Sequence, residues 1–269
     1  MTDVRHILSL SGGKDSAALA VYMRDRVPSM EYIFHDTEKE LPETYEYLGR
    51  LEAILGKPIT RTSPTDSFDH WLSVFGGMLP SNHRRWCTRM LKLRPFEAYV
   101  GDDPVVNYVG LRADEPRTGY ISTKANITAV YPFRDAGLVL ADIHRILEES
   151  GLGMPTYTNW GRSRSGCYFC FYQQKIEWVR LKETHPDLFE SAKQYELDSL
   201  AQGVDFTWSK SESLAELERP ERIAAIKANK AAADARKASR RGNKTLAETL
   251  GGLEAEQESE SEGCLICSL

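Results

Sequence analysis

The chain has 269 residues, of which 41% are hydrophobic and 27% are charged, as is ordinary for a globular protein. Its formal net charge of −5 argues against a surface coated with basic residues for nucleic acid. The sequence has neither the charged-then-apolar beginning of a signal peptide nor an apolar run near the roughly 18 residues of a membrane helix. We therefore expect a cytoplasmic protein without membrane contacts.

Strand-like and helix-like segments alternate through the first half of the chain. In chain order, the pattern predicts strands at Arg5–Leu10, Glu31–His35 and 105–109, and helices at 17–23, 43–55 and 142–149. Strands that alternate with helices favour right-handed crossovers. The sequence therefore predicts an α/β fold with a parallel sheet covered on both faces.

The pattern becomes helical beyond residue 153. Pro186 suits the first turn of a helix, and Ser213 with Glu216 has the spacing of a capping box. We predict an α/β domain at 1–153, a helical part of the same domain at 154–205, a basic helical extension at 206–250 and an acidic disordered tail at 251–269.

Charge is unevenly distributed near the C-terminus. Residues 219–244 contain nine Lys or Arg against two acids, whereas residues 246–269 contain six Glu and no Lys or Arg. A basic stretch of this kind is a candidate contact for the phosphates of nucleic acid or of a ribonucleoprotein complex. The alternative is a soluble, Ala-rich basic helix without a partner.

A glycine loop follows the first strand and carries the clearest chemical signal. The loop lies between a predicted strand and a predicted helix. Its two glycines allow a tight turn in which successive backbone N–H groups point at one anion. The helix adds its positive N-terminal end, Lys14 adds a cation, and Asp15 indicates Mg²⁺. The residues predicted to bind pyrophosphate are Ser11, Gly12, Gly13, Lys14, Asp15 and Ser16. The spacing differs from the Walker pattern.

Five motifs in the same order resemble those of the PP-loop ATP pyrophosphatases, the adenine nucleotide α-hydrolase superfamily. Within it, the resemblance is to the phosphoadenosine phosphosulfate (PAPS) reductase family, in particular to the reductase-like proteins of phage, DNA phosphorothioation and CRISPR-associated loci. The motifs are the glycine loop, His35-Asp36-Thr37 with Pro42-Glu43-Thr44, the segment 87–96, Gly110-Leu111-Arg112, and Gly166-Cys167 with Cys170.

This resemblance implies a PP-loop domain that cleaves ATP between the α and β phosphates, with the loop holding the departing pyrophosphate. Lys14, Asp15 and Asp36 are then the candidate catalytic residues, with Mg²⁺ neutralising phosphate charge. Asp36 follows the second strand, at the edge where open α/β sheets bind ligands. Further candidate nucleotide or substrate contacts are Thr37, Arg112, Arg117 and Arg162, although an arginine is often only a solvated surface charge.

The cysteines depart from the family pattern. Iron–sulfur reductases of the family carry a Cys-Cys pair and a later Cys-x-x-Cys, but here the pair is Trp86-Cys87. Cys87, Cys167 and Cys170 could hold a [4Fe-4S] cluster with three protein ligands, as the resemblance to tRNA thiolases implies. The alternatives are a zinc site completed by His83 or His185, and three reduced, buried thiols. Cys264 and Cys267 in the tail do not match the family's terminal cysteine motif.

Three functions are compatible with the sequence. The intact loop favours an ATP pyrophosphatase that activates a substrate for sulfur transfer or nucleic-acid modification, because family members that reduce sulfonucleotides tend to have a degraded loop. A sulfonucleotide reductase is the first alternative. The second is an accessory protein whose nucleotide site regulates binding to nucleic acid or a ribonucleoprotein.

Overall fold

The computed structural model describes residues 4–62, 66–116, 118–119, 122, 124–209 and 212–242. The chain divides into two compact units. The described part of the first unit comprises residues up to Val74 and His83–Cys167, and that of the second comprises Phe75–Asn82 and residues from Tyr168 onwards. Arg117, Cys264, Cys267 and the predicted acidic tail lie outside the described residues.

The first unit is built on a five-stranded parallel sheet. The strands are β1 (Arg5–Leu10), β2 (Glu31–His35), β3 (Ile59–Thr62), β4 (Val105–Tyr108) and β5 (Ile127–Val130). Their order in the sheet is β3-β2-β1-β4-β5, so β1 is central, with β2 and β3 on one side of it and β4 and β5 on the other. Each neighbouring pair is parallel; Ser9 pairs with Ile33 on one side of β1, and Ile7 pairs with Asn107 on the other.

Helices connect the strands of this unit. The helices are α1 (Lys14–Met23), α2 (Pro42–Leu55), α3 (Phe68–Val74), α4 (Trp86–Thr88), α5 (Arg94–Val100), α6 (Pro132–Asp135) and α7 (Leu140–Glu149). The helix α4 continues through a π-helical segment, Arg89–Leu93, into α5, and a short 3-10 segment occupies Thr156–Trp160.

Alternating side chains of the strands bury both faces of the sheet. Leu8 and Leu10 of β1 belong to a core shared with α1, α2 and α7. Ile7 faces the other way and packs in a second core with Phe96 and Val100 of α5. Two apolar faces require helices on both sides, as is usual for parallel sheets. The predicted α/β fold with a parallel sheet is confirmed.

The described part of the second unit is mainly helical. Phe169 stacks on Trp208 with ring centroids 4.9 Å apart, and the Trp208 indole N–H donates to the carbonyl of Ala192 at 2.8 Å. The predicted helical C-terminal part is confirmed by α8 (Lys175–Thr184), α9 (Pro186–Ala201), α10 (Leu214–Leu217) and α11 (Pro220–Gly242).

Two capping predictions for these helices are also confirmed. The helix α9 begins at Pro186. Ser213 caps α10 by accepting from the Glu216 backbone N–H at 3.2 Å, and Glu216 accepts from the Ser213 N–H at 2.9 Å. Within the described residues, none of the helices combines the length and the apolar character that crossing a membrane requires.

Candidate functional site at the carboxyl edge of the sheet

The glycine loop connects the end of β1 to the start of α1. Gly12 has a positive φ of 71°, and a Cβ atom added there would lie 2.4 Å from Thr44 Cγ2. A Cβ at Gly13 would lie 2.9 Å from Ser165 Oγ. Both glycines are therefore required, the first by backbone conformation and both by neighbouring side chains.

Backbone N–H groups of this loop remain available to a ligand. Within the described part of the chain, nothing accepts a hydrogen bond from the N–H groups of Gly12, Gly13 or Lys14. By contrast, the N–H of Ser11 donates to Ser16 Oγ at 3.2 Å. Unsatisfied N–H groups at the start of a helix, together with the helix dipole, form an anion-binding surface.

Serine hydroxyls stabilise the conformation of the loop through hydrogen bonds. Ser16 is buried, and its hydroxyl donates to the Gly13 carbonyl at 3.2 Å while lying 3.1 Å from Ser11 Oγ. Ser165 donates to Ser11 Oγ at 3.4 Å. Ser16 therefore contributes to the shape of the loop, and Ser165 joins a second segment of the chain to it.

Lys14, Asp15 and Arg112 form a chain of alternating charges. Asp15 Oδ2 lies 3.3 Å from Lys14 Nζ, and Asp15 Oδ1 accepts from Arg112 at 2.8 Å. Burial alone would raise the pKa of Asp15, but the two cations outweigh it and lower that pKa below its usual range. Both carboxylate oxygens are thus engaged with cations.

Arg112 is buried and surrounded by carboxylates. Its side chain is 4% exposed and also contacts Asp114 at 2.9 Å and Glu115 at 3.4 Å. The loop that carries Arg112 comes close to α1, because a Cβ at Gly110 would lie 3.1 Å from the Asp15 carbonyl group. The structure brings Arg112 to the glycine loop, with its guanidinium directed at acidic side chains.

Asp36 follows β2 at the same edge of the sheet. Its Oδ1 accepts from the Glu38 backbone N–H at 2.8 Å and from the Tyr45 hydroxyl at 2.7 Å. Burial and then the contact with Asp36 raise the pKa of Tyr45, so its hydroxyl remains a donor. Nothing among the described residues donates a hydrogen bond to Asp36 Oδ2, which is therefore available to a ligand.

Thr37 and Glu40 surround Cys167. The Thr37 hydroxyl donates to Glu40 Oε1 at 3.1 Å and lies 3.2 Å from Cys167 Sγ. Glu40 and Cys167 also form an antiparallel backbone bridge. Glu40 is 6% exposed, and burial raises its pKa. The sequence did not single out Glu40, because an acidic residue between two motifs resembles a surface charge.

Arg162 organises the segment that holds Ser165 and Cys167. It is 1% exposed and donates to the carbonyls of Arg164 at 3.0 Å, Gly166 at 3.1 Å and Cys167 at 2.8 Å. These contacts direct the guanidinium toward backbone carbonyls. Arg117, the third predicted clamp, lies outside the described residues.

The three candidate metal ligands are reduced, and each is partly buried. Cys87 and Cys167 belong to the first unit, whereas Cys170 belongs to the second. Among the described residues, no group of three or more His, Cys, Asp or Glu side chains is arranged to hold a metal ion. A shared metal site of the three cysteines therefore stays a prediction, and we derive no chemistry from a [4Fe-4S] cluster or from zinc.

Two aromatic residues near the loop were not identified from the sequence. The Tyr157 hydroxyl donates to the Gly12 carbonyl at 3.3 Å, and the Trp160 indole N–H donates to Glu43 Oε1 at 3.0 Å. Both belong to the 3-10 segment, which is too short to show a hydrophobic periodicity in the sequence. The Pro-Glu-Thr motif was the available signal, since it supplies Glu43 and also Thr44, which contacts the glycine loop.

Comparisons with known proteins identify the type of domain. Residues 5–131 match the family model described as phosphoadenosine phosphosulfate reductase domain. This part of the first unit, slightly under half of the chain, is therefore similar to a PAPS reductase domain.

Two uncharacterized proteins of Methanocaldococcus jannaschii are each 25% identical to this chain, over 200 and 198 residues. The alignments cover 67% and 68% of this chain but 45% and 40% of those relatives. The chain thus spans less than half the length of the curated relatives that it matches.

Two solved structures are also similar. The crystal structure of phosphoadenylyl-sulfate reductase from Candida auris, a phosphate complex, has a TM-score of 0.49 and 15% identity, and covers 62% of this chain and 82% of its own. The U34-tRNA thiolase NcsA from Methanococcus maripaludis, with its [4Fe-4S] cluster, has a TM-score of 0.41 and 14% identity, with coverages of 74% and 72%.

Proposed function

We propose that this chain, through its PAPS reductase-like domain, is an ATP pyrophosphatase. Water attacks the α phosphorus, the bond from that phosphorus to the α–β bridging oxygen breaks, and AMP and pyrophosphate are released. In the complete reaction, an acceptor destined for sulfur transfer or nucleic-acid modification takes the place of water.

The observation that carries this proposal is the set of available N–H groups at Gly12, Gly13 and Lys14. They lie at the start of α1, where the helix dipole also favours an anion. The carboxyl edge of a parallel sheet, beside the point where the strand order reverses, is where open α/β folds bind nucleotides. A pyrophosphate group matches several convergent donors better than a single carboxylate does.

Lys14 and Asp15 have different roles in this proposal. Lys14 stabilises the pyrophosphate oxygens that gain charge as the bond breaks. Asp15 holds Lys14 and Arg112 and does not fit as a metal ligand, because both of its oxygens already contact cations.

Asp36 fits the Mg²⁺ that accompanies ATP. Mg²⁺ usually takes one or two protein carboxylates together with substrate phosphates. Asp36 is held through Oδ1 by Glu38 and Tyr45, which leaves Oδ2 directed to a ligand. Bound there, Mg²⁺ would supply neutralisation of phosphate charge.

Product analysis with ATP labelled at the α phosphate tests the proposal. We expect AMP and pyrophosphate from the purified chain, and a loss of about 100-fold or more in turnover for Lys14→Ala. Lys57→Ala is the matched control, because Lys57 precedes β3 at the opposite edge of the sheet. ADP as the main product, or unchanged turnover in Lys14→Ala, would reject the mechanism.

Sulfonucleotide reduction remains the alternative activity, since the family model that matches carries that name. The same preparation is offered phosphoadenosine phosphosulfate with a dithiol reductant. Sulfite release without AMP formation from ATP would replace the proposal with the reductase.

A further inference from the structure

The helix α11 has an anchored beginning and an exposed continuation. Ile226 is 6% exposed, and Arg222 donates to Glu212, so the first turns pack against the rest of the second unit. By contrast, every residue from 231 to 239 is exposed. The second part of the helix therefore presents its whole circumference to solvent.

Three lysines share one face of this helix. Lys230 follows Lys227 by three residues, and Lys237 follows Lys230 by seven, so the three lie on one face. Asp234 lies on the same face, between Lys227 and Lys230 around the helix axis, whereas Arg236 lies on the opposite side from Lys227. Most of the other positions are small residues, namely Ala228, Ala231, Ala232, Ala235 and Ala238.

The acidic partners of Lys227 and Lys230 would compete only weakly with an external polyanion for these lysines. Lys227 contacts Glu183, with side chains 49% and 47% exposed. Lys230 contacts Asp234 at 2.7 Å, with side chains 37% and 57% exposed. Exposed ion pairs of this kind contribute about 0–1 kcal/mol and are screened by salt. A polyanion can therefore displace these carboxylates at little cost.

We propose that the exposed part of α11 is a docking surface for double-stranded DNA. Lys227, Lys230, Arg236 and Lys237 lie against backbone phosphates, and binding is independent of sequence. The formal net charge of the whole chain is −5, so the attraction comes from this helix and not from the average surface. The surface belongs to the second unit, and the inference does not depend on the proposed ATP chemistry.

The small residues of this helix favour DNA over other polyanions. Helices that lie on membranes bury bulky apolar side chains, whereas residues 227–239 contain no Leu, Ile, Phe or Trp. Alanine keeps the helix thin, at about 10 Å, and the major groove of B-form DNA is roughly 12 Å wide and admits such a helix. The major groove of A-form RNA is too deep and narrow for a helix to enter.

Fluorescence anisotropy with a labelled DNA duplex of mixed sequence tests this proposal on the full chain. The variant combines Arg236→Gln and Lys237→Gln, which removes two charges and keeps good helix formers. We expect weaker binding and a slope of log K against log salt that is shallower by about 2. The matched control combines Arg26→Gln and Arg145→Gln, two exposed arginines of the first unit, and should bind as the parent does.

Three outcomes would overturn the docking surface. The first is an equal loss in the control and in the α11 variant. The second is tighter binding to an RNA duplex, or to vesicles of anionic phospholipid, than to DNA. The third is the absence of salt-dependent binding by the parent chain. Turnover of ATP measured on the same proteins is expected to stay unchanged in both variants, so failure here is distinguishable from failure of the proposed activity.

Discussion

At the scale of single residues, Arg112 is the buried cation on which three carboxylates converge. Asp15, Asp114 and Glu115 all lie within 3.4 Å of its guanidinium. The sequence indicated an arginine that would clamp phosphate or substrate. The geometry favours a positioning residue that orients Asp15, and through it Lys14.

Replacing Arg112 tests this positioning role. Arg112→Gln removes the guanidinium that the three carboxylates share, and we expect the free energy of unfolding to fall by about 3 kcal/mol. Asp15 and Asp114 are partly exposed, so we expect a loss at the lower end of the range that is usual for breaking a buried ion pair. Urea denaturation followed by circular dichroism measures it.

Arg145→Gln is the control for this change. Arg145 makes ion pairs with Asp142 and Glu149, but its side chain is 54% exposed, so its loss should change stability by less than about 1 kcal/mol. Equal effects of the two substitutions would contradict the role assigned to Arg112.

At the scale of elements, Gly12 and Gly56 allow a matched comparison. Both have positive φ, 71° and 63°. A Cβ at Gly56 meets nothing within 4 Å, whereas a Cβ at Gly12 meets Thr44 of α2 at 2.4 Å. The glycine loop is thus constrained by its packing on α2 in addition to its own turn.

We expect Gly56→Ala to cost about 1 kcal/mol, because only the left-handed backbone conformation opposes it. Gly12→Ala must also move Thr44 or the loop, so it should cost more and abolish ATP turnover. Thermal unfolding and product analysis measure the two effects. An active Gly12→Ala variant with the stability of Gly56→Ala would show that α2 does not constrain the loop.

The elements that the sequence missed are short. The strands β3 and β5 have four residues each and lie at the two edges of the sheet. Short edge strands, partly exposed, carry little hydrophobic periodicity. The start of α1 was placed three residues late, because Lys14, Asp15 and Ser16 were interpreted as loop and the structure includes them in the helix.

At the scale of the whole molecule, buried titratable groups make stability depend on pH, His35 and Asp15 among them. Burial, and then the positive charge of Lys92, lower the pKa of His35 from 6.5 to about 3. The His35 side chain therefore takes up a proton near pH 6.5 in the unfolded chain but stays neutral at that pH in the folded chain. The lowered pKa of Asp15 acts only at more acidic pH, below its ordinary value of 3.8.

We expect the free energy of unfolding to decrease as pH falls below 6.5, by about 1 kcal/mol per pH unit from His35 alone. The decrease should continue toward pH 3, where the folded protein also accepts the proton. Urea titrations between neutral and mildly acidic pH measure the slope. In His35→Asn the slope should become flatter whatever the absolute stability, and an unchanged slope would show that His35 is not the group responsible.

The sequence by itself determined the α/β class, the central strands and the position of the glycine loop. These features follow from local patterns: apolar runs of strand length, helical periodicity, and two glycines between a strand and a helix. It also indicated the neighbourhood of Asp36 and Arg112, since the carboxyl ends of parallel strands share one edge of a sheet.

Only the tertiary structure decided the partners of these side chains. Cations occupy both oxygens of Asp15, backbone carbonyls bind Arg162, and Thr37 with Glu40 surrounds Cys167. The residues in each contact, apart from Lys14 and Arg162, are separated by many positions along the chain. Which of them meet depends on how segments pack across the edge of the sheet, and no local pattern in the sequence encodes that packing.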